Sequence, residues 1–145
     1  MQVSDILRHK GTTVSTVPPT ASIEDAVRLL GTQRIGALVV SEDGRSVDGI
    51  LSERDIVAHM AAVGRSGLDS TVATVMTRNV QTCEPQDPVE DIMSTMTEGR
   101  FRHLPVLVDG ALGGIVSIGD AVERRVRELE TERALLTDYI QTGRT

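Results

Sequence analysis

The alternation of apolar and polar residues predicts the same order of elements twice along the chain. In the first half, a short β-like run at 13–17 leads through a proline turn into an amphipathic helix after Ser22, whose hydroxyl suits an N-cap. An apolar strand follows at 37–40, and an acidic glycine turn returns the chain into a second strand that ends at Ser52. A further helix is expected to begin at Ser52, so this half predicts a β-α-β-β-α unit.

The second half repeats this order at a nearly constant offset. The helical pattern at 22–30 corresponds to 88–96 when 66 is added to each residue number, and after the acidic turn the offset becomes 65. The phrase GILSERD at 49–55 then aligns with GIVSIGD at 114–120. The two phrases are therefore corresponding parts of a duplicated unit.

We expect an α/β (α+β) fold built from two such repeats, because one unit of roughly 60 residues is marginally stable by itself. The repeats would pack face to face with pseudo-twofold symmetry. The predicted boundaries are 1–67 for the first repeat with an N-terminal helix, 68–127 for the second repeat, and 128–145 for a C-terminal helical extension.

Composition narrows the function further. Aromatic residues make up only 1% of the chain, so a bound flat ring would lie between aliphatic side chains and backbone. The formal net charge of −6 and the lack of a basic block argue against general nucleic-acid binding. No run approaches the roughly 20 apolar residues of a membrane span, and no signal-peptide pattern is present. These features favour a soluble, cytoplasmic protein.

The repeated phrase has a structural and a functional interpretation. Ser52 and Ser117 suit helix N-caps, and Asp55 and Asp120, three residues later, would complete capping boxes. The same geometry suits a nucleotide, because a helix N-terminus favours phosphate and a carboxylate can accept the hydroxyl groups of a ribose. The two interpretations are compatible.

These segments resemble a tandem pair of CBS domains, the family named after cystathionine β-synthase. The resemblance is carried by VSTVPPTASIEDAVRLL, RIGALVV and GILSERDIV in the first half, and by MTRNVQTCEPQDPVEDIM, RHLPVL and GIVSIGDAV in the second. It covers nearly the whole chain, as in stand-alone bacterial CBS-pair proteins. The resemblance implies a cleft between the repeats that binds AMP, ADP, ATP, NAD or S-adenosylmethionine, and a homodimer of pairs.

The resemblance also implies roles for individual residues. Asp55 and Asp120 would bind ribose, and the neighbouring serines would bond ribose or phosphate. Glycines at the start of each phrase would let the ligand approach the backbone; they are Gly49 and Gly114. Adenine would lie against strand residues for which core packing is the alternative: Val14, Thr16, Ile35, Ala37, Val80, Thr82, Leu104 and Pro105.

Cations make the two predicted sites unequal. The residues available for phosphate are Arg34, Arg54, Arg100, Arg102 and His103, although exposed arginines are usually only solvated. Where the second copy has Arg102 and His103, the first has Gly36 and Ala37. We therefore expect a cation-rich site at Asp120 and a roomier site at Asp55.

Residues outside the phrases indicate assembly rather than catalysis. No catalytic arrangement or metal-ligand spacing occurs in the sequence, so no catalytic or metal-binding residue is predicted. The apolar spacing at 120–140 predicts a long last helix that contacts a second copy, with packing on its own subunit as the alternative. A helix at 4–9 is expected in the same interface. Cys83, the only cysteine, is expected in the core, with a redox role as the minority alternative.

The sequence is compatible with two functions. The first is a sensor of adenine nucleotides that transmits occupancy to an unidentified regulated protein. The alternative is a ligand-free structural or redox-responsive dimeric scaffold.

Overall fold

The computed structural model describes residues 1–143 and has the two repeats that the sequence predicts. The first half contains α1 (Val3–Lys10), β1 (Thr16–Val17), α2 (Ile23–Gln33), β2 (Ala37–Val40), β3 (Gly49–Ser52) and α3 (Glu53–Val63). A 3₁₀ helix (Gly64–Asp69) and α4 (Val72–Val75) connect it to the second half, which contains α5 (Val89–Gly99), β4 (His103–Val108), β5 (Ala111–Ser117) and α6 (Ile118–Thr142).

Each repeat places helices against a small sheet. In the first, β2 pairs in parallel with β1 and antiparallel with β3. In the second, β4 pairs antiparallel with β5, and the expected strand at 79–83 is reduced to a parallel bridge between Cys83 and Val106. The strands that precede the first helix of each repeat are therefore shorter than the apolar runs predict.

Helix starts follow the predicted serine caps. The Ser22 hydroxyl accepts a hydrogen bond from the Asp25 N–H at 3.1 Å, and α2 then buries its apolar stripe against the sheet. Ser52 and Ser117 begin α3 and α6 in the same way. Side-chain caps satisfy backbone N–H groups that a helix leaves without partners, which fixes where each helix begins.

Each repeat is preceded by a short helix, α1 or α4, and each of these helices packs into the core of the other repeat. Helix α1 buries Val3, Ile6 and Leu7 in the core of the second repeat, and the Val3 N–H donates to the Asp87 carbonyl at 2.9 Å. Helix α4 instead buries Val72 in the core of the first repeat. Each repeat is thus completed by the segment that precedes the other one.

This exchange changes two expectations about the N-terminal helix. The sequence groups it with the first repeat and places its apolar face in an interface between copies. In the structure, that face is buried inside its own chain against the second repeat, because Leu7 packs over Gly114 and Val3 lies beside the start of α5.

Replacing Gly49 by alanine is expected to destabilise the fold by about 1–3 kcal/mol, since an added methyl group overpacks the exchanged segment. A Cβ atom there would lie 2.6 Å from the Met76 sulfur and 2.9 Å from the Thr77 carbonyl oxygen. Gly31→Ala is the control, because nothing lies within 4 Å of its Cβ position in α2. Helix propensity predicts that this control stabilises by about 0.5–1 kcal/mol. Urea denaturation measures both changes, and equal midpoints for the two variants would contradict this packing.

Candidate functional site

A cleft of about 590 Å³ lies between the two repeats, next to the first copy of the repeated phrase. Its walls are the β3–α3 junction, the segment 77–81 and the segment 99–103. The volume falls within the range of small-molecule sites, about 300–1,000 Å³. Six of the predicted ligand-binding residues line it: Ser52, Arg54, Asp55, Val80, Arg102 and His103.

The remaining predicted residues lie outside this cleft: Val14, Thr16, Ile35, Ala37, Gly49, Thr82, Leu104, Pro105, Gly114, Ser117 and Asp120. Burial explains several of them, since Ala37 and Leu104 are both buried and Leu104 belongs to the core of the second repeat. The two glycines are covered, Gly49 by Met76 and Gly114 by Leu7. A side chain from α1 or from the residue after α4 thus covers each glycine, which explains why a larger residue does not fit there. A ligand cannot approach the backbone from that side.

Asp55 is held at the cleft by its own helix start. Its Oδ2 atom accepts a hydrogen bond from the Ser52 N–H at 2.9 Å, and its N–H donates to the Ser52 hydroxyl at 3.2 Å. Its Oδ1 atom accepts only a long bond, 3.5 Å, from the Thr77 hydroxyl. The capping box predicted from the phrase is therefore present, and it leaves one carboxylate oxygen able to accept further hydrogen bonds.

Asp120 has the same capping box but also an internal cation. The Lys10 ammonium lies 2.6 Å from its Oδ2 atom and also donates to the Ile115 carbonyl at 3.0 Å. Burial raises the pKa of Asp120, but the bonds from Lys10 and Ser117 outweigh it and hold the pKa below its ordinary value. Asp120 therefore differs from Asp55 in having an internal ion pair, and the bonds from Lys10 and from the Ser117 N–H both fall on its Oδ2 atom.

Lys10 is a residue that the sequence patterns did not indicate. It ends α1, and only the exchange of α1 onto the second repeat brings it to Asp120, 110 residues away along the chain. When α1 and α4 are aligned at Val3 and Val72, Asn79 takes the place of Lys10. Asn79 lines the cleft at Asp55, so this site has a neutral amide where the other has an ammonium group.

Cations from both repeats line the cleft with Asp55. Arg54, Arg100 and Arg102 line it, together with the carboxylates of Glu53 and Asp55. Arg54 also donates to the Arg100 carbonyl across the cleft at 3.5 Å. The cleft therefore combines three guanidinium groups with two acids, a composition that favours an anion over a cation.

This arrangement differs from the expected asymmetry. The sequence assigns Arg102 and His103 to the Asp120 site because they share its repeat. In the structure, the start of β4 faces the start of β2 across the repeat interface, and a Cβ at Gly36 would lie 3.3 Å from His103 Cε1. The small residue in the first copy makes room for the large one in the second, which delivers Arg102 to the cleft at Asp55.

His103 lies between the two phrases. It begins β4 opposite Ser117 and is half-buried. Burial lowers its pKa, and the nearby Lys10 ammonium lowers it further. The imidazole is therefore neutral at pH 7 and supplies a hydrogen-bonding group to the cleft rather than a positive charge.

Several other cleft residues were missed by sequence reasoning: Gly36, Ile50, Glu53, Val57, Thr77, Asn79, Gln81, Gly99 and Phe101. Thr77, Asn79 and Gln81 lie in the irregular segment between α4 and α5, and Gly99 and Phe101 lie at the end of α5 and just after it. Phe101 adds an aromatic side chain to a site that was expected to hold a flat ring with aliphatic groups alone.

Other kinds of site receive no support from residues 1–143. Among them, no group of three or more potential metal ligands occurs, and none of the helices is long and apolar enough to cross a membrane. Cys83 is buried, and this burial raises the pKa of its thiol to about 12. Because the thiolate is the reactive form, Cys83 behaves as a core residue.

Comparison with known proteins identifies the family. The CBS domain family matches residues 3–62 and 72–127, which are the two repeats. The chain belongs to the CBS domain family. The pair of CBS domains described here is similar to the CBS-domain containing protein ATU1752 from Agrobacterium tumefaciens, with 44% identity, a TM-score of 0.83, and coverage of 86% of this chain and 99% of that one.

Two further CBS structures contain adenine compounds. The CBS domain pair of protein MJ0100, in complex with 5'-methylthioadenosine and S-adenosyl-L-methionine, has 27% identity, a TM-score of 0.77, and coverage of 88% of this chain and 98% of that one. The CBS domain protein PAE2072 from Pyrobaculum aerophilum, complexed with AMP, has 27% identity, a TM-score of 0.73, and coverage of 83% and 89%.

Proposed function

We propose that this protein is a regulatory module that binds an adenine nucleotide in the cleft at Asp55. The observation that carries the proposal is a carboxylate at a helix start, with one oxygen available, in a cleft lined by Arg54 of the same helix and by Arg100 and Arg102 of the other repeat. The AMP complex of PAE2072 and the 5'-methylthioadenosine and S-adenosyl-L-methionine complex of MJ0100 support an adenine compound as the ligand class.

Each part of a nucleotide has a suitable group in this cleft. Asp55 Oδ1 would accept ribose hydroxyls, and the N-terminus of α3 with Arg54 and Arg102 would bind phosphate. The adenine ring would pack against Val80 and Phe101. AMP, ADP, ATP and NAD carry phosphate for these arginines, whereas S-adenosylmethionine carries a sulfonium cation in its place.

Occupancy would be transmitted through the repeat interface, because both repeats supply walls of the cleft. A ligand can shift the relative positions of the repeats only if it binds one arrangement more tightly than another. We propose that a regulated partner protein binds the two arrangements with different affinity. Homodimerisation and a cytoplasmic location, both predicted from the sequence, are parts of the same proposal, and binding rather than catalysis is its activity.

Titration calorimetry with AMP, ADP, ATP, NAD and S-adenosylmethionine tests this function, with GMP as the control for the base. We expect at least one phosphate-bearing adenine compound to bind and GMP to bind more weakly. A chain that is folded by circular dichroism but binds no member of this panel would overturn the proposal. That result would favour the scaffold alternative, for which the exposed apolar residues of α6 are the supporting observation.

Removing the Lys10 ammonium is expected to open a second site. In the wild type, Lys10 occupies the carboxylate that corresponds to Asp55, so we predict one nucleotide per chain. Lys10→Met frees Asp120 and should raise the stoichiometry to two, whereas Lys10→Arg retains the cation and should stay at one. Calorimetric stoichiometry decides between these results, and a value of two in the wild type would show that Lys10 does not close the site.

A further inference from the structure

The distal part of α6 has a strict heptad pattern that its own chain leaves exposed. Apolar residues would occupy the alternating a and d positions of a coiled coil, at spacings of four, three, four, three and four, with one interruption by Arg133; the positions are Val122, Val126, Leu129, Arg133, Leu136 and Ile140. The five apolar members are 42–70% exposed. Every residue from 129 to 143 is exposed, so no part of residues 1–143 covers this stripe.

A helix of this kind requires a partner for its apolar face. The distal segment gains nothing from tertiary packing, and isolated helices shorter than about 12–15 residues are marginal in water. A spacing of 3.5 residues is the period at which two helices supercoil and keep one seam in contact. The heptad pattern extends over 122–140, which is longer than a chance pair of apolar residues would produce.

We infer that the distal part of α6 forms a two-stranded, parallel, in-register coiled coil with a second copy of this chain. In that arrangement the Arg133 side chain of one copy enters a hole that includes Glu132 of the second copy, at the adjoining g position. Within residues 1–143, neither side chain makes an ion pair. In register, the two Arg133 side chains share one a layer, which costs stability, and Glu132 of the second copy supplies an opposite charge beside each arginine.

The opposite orientation brings like charges together. In an antiparallel pair, an a residue of one helix lies opposite a d residue of the other. If Arg133 lies opposite Leu129, the pair is centred near residue 131. The flanking e positions then bring the two copies of Glu130 together, and the flanking g positions bring the two copies of Glu132 together. Like charges across a coiled coil disfavour that partner arrangement. A single polar residue at an a position also specifies register at a cost in stability, which is the role assigned to Arg133.

Two adjacent leucines provide the matched test of the interface. Leu136 occupies a d position and is 60% exposed, whereas Leu135, at 68% exposed, occupies a c position outside the a/d seam, about 100° around the helix from Leu136. By sedimentation equilibrium, Leu136→Asp should raise the dimer dissociation constant at least about tenfold, because it removes a buried leucine from both copies. Leu135→Asp should change it less than about twofold, since a surface substitution has little effect. A monomeric wild type, or equal effects of the two variants, would overturn the inference.

Two further variants test the orientation and the role of Arg133. Ile140→Cys should give a disulfide-linked dimer on mild oxidation. The wild type is the control and should give no such dimer, because its single cysteine is buried. In the antiparallel arrangement, the two copies of residue 140 lie about 27 Å apart and cannot be linked. Arg133→Leu should tighten the dimer at least about tenfold by completing the apolar seam. A dimer without the disulfide, or one weakened by Arg133→Leu, would contradict the parallel coiled coil.

Discussion

Asp55→Ala is expected to weaken nucleotide binding about 100-fold, because the hydrogen bonds of two ribose hydroxyls to a carboxylate contribute roughly 3 kcal/mol together. The carboxylate is positioned for this by the capping box, with Oδ2 bonded to the Ser52 N–H and Oδ1 left towards the cleft. Titration calorimetry with the best-binding compound of the adenine panel measures the loss.

Asp120→Ala is the matched control for this prediction. It removes an aspartate from the same position of the other phrase, with the same capping box, but that carboxylate is paired with Lys10. We expect the affinity of this control to stay within about threefold of the wild type, while both variants lose a similar helix-capping contribution of about 1 kcal/mol. Equal losses of affinity in the two variants would contradict the assignment of the open site to Asp55.

Leu7→Ala is expected to destabilise the protein by about 2–5 kcal/mol, as usual for truncation of a buried leucine. Leu7 is only 7% exposed and packs over Gly114 in the core of the second repeat, although it lies near the start of the chain. Leu135→Ala is the control, because the same change at an exposed position should cost less than about 0.5 kcal/mol. Urea denaturation compares the two, and a Leu7→Ala variant as stable as the control would contradict the docking of α1.

Local patterns were sufficient to predict the duplicated elements. Ser22, Ser52 and Ser117 cap helices as predicted, because capping depends on residues three positions apart. The length of α6 also follows from local spacing, and it extends through the described part of the predicted 128–145 extension; residues 144–145 lie outside the described residues. Repeats, caps and the apolar faces of helices depend on residues that are close in sequence, which explains why they could be predicted without a structure.

The exchange between the repeats could not be found in this way. The spacing of Val3, Ile6 and Leu7 shows that α1 has an apolar face, but periodicity does not say which core accepts it. For this reason the sequence did not indicate Lys10 and placed Arg102 only with the Asp120 site. Lys10 reaches Asp120 only through the exchange, and Arg102 reaches the cleft at Asp55 only because the strand starts of the two repeats face each other.

The alternation of apolar residues was also a poor guide to the ligand contacts. Strand residues such as Ala37 and Leu104 are buried, whereas half of the residues that line the cleft lie in irregular segments between helices and strands. Thr77 and Gln81 contribute from the irregular segment between α4 and α5, where polar sequence alone does not indicate a role.

A crystal structure of the chain with the best-binding adenine compound tests the central proposal most directly. We predict one molecule per chain, in the cleft between the repeats, with ribose hydroxyls on Asp55 and phosphate near Arg54 and Arg102. Lys10 should remain paired with Asp120 in that complex. A ligand bound at Asp120 with the cleft at Asp55 empty, or a ligand outside the repeat interface, would contradict it.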